Sequence, residues 1–499
     1  MKKIINISWS ILFAVFIFII FSGCTKFLDR KPLSATLNDL PGGGLEGQVL
    51  GLYDALRQNG HGGDGFNSLP FMCLHEIRSD DVIYAVDPGA ASYKPWLDQF
   101  QYDKTAWFNG VYWSDHYAVI GKANTALQFA DSLKLTDSAS AVFIAEAKFV
   151  RAFCYFDLVR TYGQVPLLVK RVFNSNEANI PKSSEADVYK QIDEDLTYAS
   201  AHLPPTWKGT AYTGRLTSGT SKTLQTKTFL FRHQYEQALA TSQDIINSGV
   251  YSLNPNYSAN FNYSTSNGPE SIFEYQAYGS PGGSVRYEVE WAEPQLVRGS
   301  GDWNIGWGWN IPDKPLINAF EPNDPRLDAT ILFAGKDDGY GNIVPDTPTV
   351  ASLYWNKKVY TDPALRKTFA DNGSHFLNHV IYRYADVLLM AAEAANETGD
   401  AATAASLLEQ VRARARGISS SILPPIPLTG QAQMRAAIQH ERRVELGMES
   451  ERFFDLVRWG LATTVLGPAG YTDKNKYYPL PQDVVTQSNG VLEQNPDYK

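Results

Sequence analysis

Apolar residues recur at intervals of three and four through several separated stretches of this 499-residue chain, and each such stripe predicts an amphipathic helix. In 47–58 the stripe is Val49, Leu52, Tyr53 and Leu56. In 141–162 it carries Phe149, Phe153 and Phe156, and Gly163 with Pro166 closes it. A third helix is expected over 182–202, opened by Ser183 or Ser184 and closed by Pro204-Pro205. Two helical pairs follow, 223–231 with 235–247 and 384–397 with 401–414. In the second pair Gly399 makes the turn and Asp400 caps the following helix. Between the pairs, 251–378 is rich in Gly, Pro, Asn and aromatics, with short strand-like runs such as Ser271 to Tyr275. So long a stretch without regular helices inside a compact fold is usually functional, and the ligand is expected there.

A different pattern opens the chain. Lys2 and Lys3 precede an unbroken apolar run over 11–21, and the small residues Ser22 and Gly23 stand directly before Cys24. This is the layout of a bacterial lipoprotein signal, with 1–23 removed and lipid carried on Cys24. The run is too short for a transmembrane helix, which needs about 20 residues. The expected body is 24–499, with an N-terminal helical part over 24–250, the loop-rich insertion over 251–378 and a C-terminal helical part over 379–499. Its architecture is expected to be mainly α, a single large domain. The Ala-rich pairs resemble tetratricopeptide hairpins, in which small residues let antiparallel helices approach closely.

Charge narrows the partners. The formal net charge is -9, and loss of Lys2 and Lys3 with the leader makes the body more acidic still. Phosphate contacts need clustered Lys and Arg, so nucleic acid is excluded as a partner. The chain has 3 cysteines; Cys24 is committed to lipid, while Cys73 and Cys154 lie in apolar runs and are expected to be buried small hydrophobes.

Catalytic patterns are thin, and no enzyme activity, cofactor or metal is expected. His75-Glu76 does not continue to a second histidine, His375 and His379 sit around a turn, and no nucleophile elbow or phosphate loop occurs. The sequence Gly62-Gly63-Asp64-Gly65 reads as a flexible loop. Asp80-Asp81 and Asp337-Asp338 read as solvated or capping residues rather than paired glycosidase acids.

Aromatics supply the positive signal. They make up 13% of the chain and crowd into polar loops: Tyr84, Tyr93 and Trp96, then Trp107 and Trp113, and above all Trp303, Trp307, Trp309 and Asn310 among Gly, Asn and Asp. Sugar rings present apolar faces with polar rims, so flat aromatic platforms beside amides and charged groups suit them. Tyr93, Trp96, Trp303, Trp307, Trp309 and Asn310 are therefore the candidate ligand residues. Trp113, on a helical stretch, is assigned to the core.

Several motifs, in order, carry a family resemblance. Arg151 to Gly163 contains Phe153, Tyr155, Phe156 and Asp157; Tyr382 to Met390 is followed by Glu393; Val411 to Arg414 comes next. Glu441, Arg442, Arg443, Val444, Glu445 and Leu446 lead into Arg452, Phe453, Phe454, Asp455, Leu456, Val457, Arg458, Trp459 and Gly460. The tail runs through Tyr478 to Pro481 and Leu492 to Tyr498, and Phe27-Leu28-Asp29 follows the leader. Together these resemble the SusD/RagB family of outer-membrane lipoproteins over essentially the whole chain. The resemblance implies a SusD-like body on the outer leaflet of the outer membrane, binding glycan or, as in the RagB branch, peptide. It also implies a lid-like role on a SusC-like TonB-dependent transporter in nutrient uptake. Arg442, Glu445, Arg452, Asp455 and Arg458 belong to the motif and are expected to be structural ion pairs, because their i, i+3 spacing lets them pair within a helix or bridge to the next.

Overall fold

The computed structural model describes residues 43–57, 66, 68–279, 285–428 and 430–498. The leader, Cys24, Phe27 to Asp29 and the Gly62 to Gly65 loop lie outside the described residues. The longer helices are α1 (Gly44–Arg57), α2 (Leu69–His75), α3 (Trp107–Ser132), α4 (Ser138–Tyr162), α5 (Glu185–His202), α6 (Ser218–Phe231), α7 (Tyr235–Asn247), α8 (Tyr384–Glu397), α9 (Ala401–Arg416), α10 (Gln431–Glu445) and α11 (Arg452–Arg458). Their ends follow local chemistry. Asp137 accepts from the backbone N–H groups of Ala139 and Ser140 to start α4, Ser184 takes that of Asp187 at α5, and Asp400 takes that of Thr403 at α9.

Helix α4 is buried on nearly every side in its second half, with Arg151 and Asp157 paired inside the protein, and a helix of that kind has to be central. Phe149, Phe153, Cys154, Phe156 and Leu158 are all buried, and α1, α3 and α5 pack around it. The pair α6 and α7 joins α8 and α9 through contact of α7 with α8, and α10 closes over both partners of the second pair. Separated stretches of chain thus form one mainly helical scaffold. Cys73 and Cys154 are buried and free, and Trp113 is buried with its ring edge-on to Tyr162 at 5.1 Å.

Short antiparallel pairs stitch the segment 251–378 into this scaffold. Strand β1 (Val82–Ala85) pairs with β3 (Trp309–Pro312), β2 (Ser271–Tyr275) with β6 (His379–Arg383), and β4 (Ile331–Phe333) with β5 (Tyr354–Asn356). The register Ala85 to Trp309 fixes the aromatic loop beside the N-terminal helices.

The motif arginines and carboxylates form a buried ion network. Glu445 Oε1 accepts from Arg383 Nη1 at 2.5 Å and from Arg414, and its Oε2 accepts from Arg326 Nη1 at 2.9 Å. Burial opposes the ionised form, but Arg414, Arg383 and Arg326 outweigh it and hold Glu445 well below the usual carboxylate range. Asp455 and Arg458 pair within α11 at 2.8 Å. Arg442 instead turns to Asp386 at 2.8 Å and Asp455 at 3.1 Å, joining α8, α10 and α11. Arg452 reaches Asp80 at 2.8 Å, and Arg443 reaches Asp81 at 2.5 Å. This corrects the reading of Asp80 and Asp81 as solvated or capping: Asp81 is buried, because the two motif arginines need carboxylates that their own helices do not supply. Asp338 does cap its turn, accepting from the backbone N–H groups of Tyr340 and Asn342, and it also accepts from Tyr360 Oη at 2.9 Å.

Candidate functional site: an aromatic cleft

Strand pairing brings three of the six candidate ligand residues to one surface cleft. The cleft, of about 480 Å³, is lined by the rings of Tyr93, Trp107, Trp307 and Trp309 together with Asp87 and Arg298. Tyr93 ends the short 3-10 helix Pro88–Tyr93, which Asp87 caps, with Gly89 N–H donating to Asp87 Oδ1 at 2.9 Å. Trp107 opens α3, and Trp309 opens β3. The Tyr93 and Trp309 rings lie 5.7 Å apart, inclined at 38°.

Three devices hold the Trp307 segment in place. The β1/β3 ladder continues past its last pair, with Val86 N–H donating to Gly308 O at 2.8 Å. Gly308 has φ 74, and a Cβ there would meet Arg298 Cβ at 2.8 Å and Val86 Cγ2 at 2.9 Å, so only glycine lets the two strands of chain approach this closely. Beneath the loop, Trp307 N–H donates to Glu293 O at 3.1 Å, and the Glu293 side chain is pinned by His375 Nε2 at 3.2 Å. Burial disfavours the charge on His375, yet Asp371 and Glu293 raise its pKa to about 10, so the clamp is ionic through the neutral range.

The cleft's charged groups answer each other. Arg298 Nη2 pairs with Asp87 Oδ1 at 3.2 Å while Arg298 Nη1 donates to Trp307 O at 3.4 Å, and both side chains remain partly exposed. A planar donor fork and a carboxylate stand beside ring faces, and this arrangement can hydrogen-bond vicinal hydroxyl groups while the rings take an apolar face.

The other candidates sit elsewhere. Asn310 is 0% exposed and does not reach the cleft: its Nδ2 donates to Gln295 Oε1 at 2.8 Å, an oxygen that also accepts from Asn356 Nδ2 at 2.8 Å. Alternation along β3 turns it away from Trp309, and its φ of 51 is one that asparagine tolerates. Trp309 itself is buried at the floor, with little of its face open. Trp303 is absent from the lining and lies parallel to Tyr360, centroids 6.2 Å apart. Trp96 is also outside the lining and supports Tyr93 from the side at 5.3 Å. Sequence reasoning named Trp107 among the loop aromatics without selecting it, and nothing local marked Arg298.

Comparison with known proteins now bears on this geometry. The sequence model of the SusD family matches residues 229–476, and a SusD-like model described as starch-binding associating with the outer membrane matches 78–222. The chain belongs to the SusD family. Among relatives of this SusD-family chain, SusD-like protein P2 of Formosa agariphila is 28% identical over 456 residues, covering 86% of this chain and 88% of the relative. A structure of a laminarin binding SusD-like protein superposes with a TM-score of 0.74 at 27% identity, covering 91% of this chain and 99% of the other. A SusD-like protein from Bacteroides fragilis, 24% identical, shares the fold with a TM-score of 0.75 over 91% of this chain and 96% of its own. Among the described residues, no helix of the SusD-family chain is long and apolar enough to cross a membrane.

Proposed function

We propose that this SusD-family chain is a lipid-anchored, non-catalytic glycan-binding protein of the outer membrane. It captures an oligosaccharide in the aromatic cleft and delivers it, as a lid, to a SusC-like TonB-dependent transporter. The cleft carries the reading: Tyr93, Trp107 and Trp307 line it beside the Arg298–Asp87 pair, above Trp309 at its floor. The laminarin binding relative supports a neutral β-glucan as the first ligand to try. Flat rings favour a sugar over the peptide ligand of the RagB branch, which backbone hydrogen bonds and a deeper pocket would read. Membrane attachment rests on Cys24 and its leader, and the transporter partnership on family membership.

Calorimetry with laminarin oligosaccharides, followed by a wider glycan array, tests the reading. Trp307→Ala and Trp107→Ala should each weaken binding roughly tenfold or more, the loss of one stacked ring. Equal binding by both variants would place the ligand elsewhere. Turnover of a bound glycan would refute the non-catalytic role, and peptide binding without glycan binding would favour the RagB alternative.

A further inference from the structure

A second pocket, sharing no lining residue with the cleft, lies between the α5–α6 connection and the start of β2. Its volume is about 210 Å³, below the ~300–1,000 Å³ of pockets that enclose drug-sized ligands and of the order of one pyranose ring. One wall is aromatic: Trp207 and Tyr212 are stacked at 5.3 Å with 27° between their planes, and Tyr212 is 39% exposed. Asn267 and Glu274 supply polar lining. Gln276, outside the lining, is saturated: its Oε1 accepts from Asn267 Nδ2 at 2.8 Å and Asn378 Nδ2 at 3.1 Å, and its Nε2 donates to Asn267 Oδ1 at 3.0 Å and Glu274 O at 3.0 Å. The Glu274 carboxyl accepts from the Asn267 backbone N–H at 2.9 Å and from Asn378 Nδ2 at 2.8 Å.

The aromatic wall is held rigid from below. Trp207 Nε1–H donates to Leu216 O at 2.8 Å, and the Arg215 guanidinium stands 4.4 Å from the Trp207 ring centroid. Arg215 is itself locked by Glu146, with Nε–H to Oε1 at 2.9 Å, and by Glu46 at 2.8 Å. Tyr53 Oη closes the set, donating to Glu146 at 2.5 Å and accepting from Leu216 N–H at 2.9 Å. At Gly214 a Cβ would fall 2.4 Å from Gln276 Cδ, so the backbone of the loop is pressed directly onto that side chain. A ring pair fixed by buried ion pairs yet left partly open to solvent, in one pocket with an Asn267 amide that keeps one donor and one acceptor site free of the Gln276 pair, is a preorganised binding wall.

We infer that this pocket is a second saccharide site, taking a single neutral pyranose unit with its apolar face on Trp207 and Tyr212 and its hydroxyls on Asn267 and Glu274. The site is independent of the cleft, and a ligand at one leaves the other open.

Fluorine NMR on the protein labelled with 5-fluorotryptophan reads both sites at once, with Trp207→Phe and Trp307→Phe assigning the two resonances. The probes are the methyl glycosides of glucose, galactose, mannose, xylose and N-acetylglucosamine. At least one should shift the Trp207 resonance saturably in the millimolar range, to the same extent in Trp307→Ala, and Tyr212→Ala should weaken that response roughly tenfold. Shifts at Trp307 with none at Trp207 would overturn this inference and leave the cleft reading standing. Shifts at Trp207 alone would uphold the second site, and shifts at neither would overturn this inference while the laminarin oligosaccharide test decides the cleft.

Discussion

Replacing Glu76 by glutamine should make the protein more stable at neutral pH, although it deletes a charge and adds no contact. Glu76 ends α2 and is 1% exposed, and its Oε2 has no hydrogen-bond partner. Burial, with a smaller push from Asp81, raises its pKa to about 8. The folded protein therefore holds a proton that the unfolded chain, with a glutamate pKa of 4.5, releases. Stability is fully present below the unfolded value and is lost as pH rises through the folded one, at about 1.4 kcal/mol per pH unit between them. At pH 7 that deficit is about 3 kcal/mol, against about 1 kcal/mol at pH 5. Glutamine keeps the shape, donates as the protonated acid does, and does not titrate. Urea unfolding of wild type and Glu76→Gln, followed by tryptophan fluorescence from pH 5 to pH 8, should give curves that diverge by about 2 kcal/mol between pH 5 and pH 7. A constant difference across that range would show that Glu76 is ionised in the folded protein and that the reasoning from burial fails.

Glu445→Ala removes a carboxylate shared by Arg326, Arg383 and Arg414, all buried, and should destabilise the protein by about 3–5 kcal/mol in the same assay. A loss no larger than that of an exposed ion pair would mean that Asp324, Glu441, Glu270 and Glu449 suffice for the three guanidiniums. Cys24→Ala should release the protein from the membrane fraction while leaving glycan affinity in calorimetry unchanged. Loss of affinity in that variant would contradict the separation of anchor from binding site.

Helix content was legible because its cause is local: a stripe at helical spacing and a cap a few residues away are both written in consecutive residues. Even so, α3 showed only in part. Asn109, Asp115, His116 and Asn124 are buried along its 26 residues, so no clean stripe separates its inner from its outer side. The ion-pair motif announced its residue types but not its partners. Spacing offered Arg442 a carboxylate at Glu445, whereas Asp386 on α8 and Asp455 on α11 are the ones it meets, because packing of three helices places them nearer.

The cleft depended on tertiary structure still more. Aromatic residues among Gly and Asn pointed to a loop that does contribute Trp307 and Trp309 to the cleft. Which rings share a surface was settled by the antiparallel register of β1 on β3, which sets Trp309 beside Tyr93 and turns Asn310 inward. Trp107 and Arg298 join the same cleft from distant parts of the chain, and no local pattern records that meeting. The sequence by itself determined most of the helices and the aromatic, polar composition of the loop that lines the cleft. The tertiary structure alone decided its membership, because sidedness and neighbourhood come from long-range pairing, whose free energy is spread over the whole core.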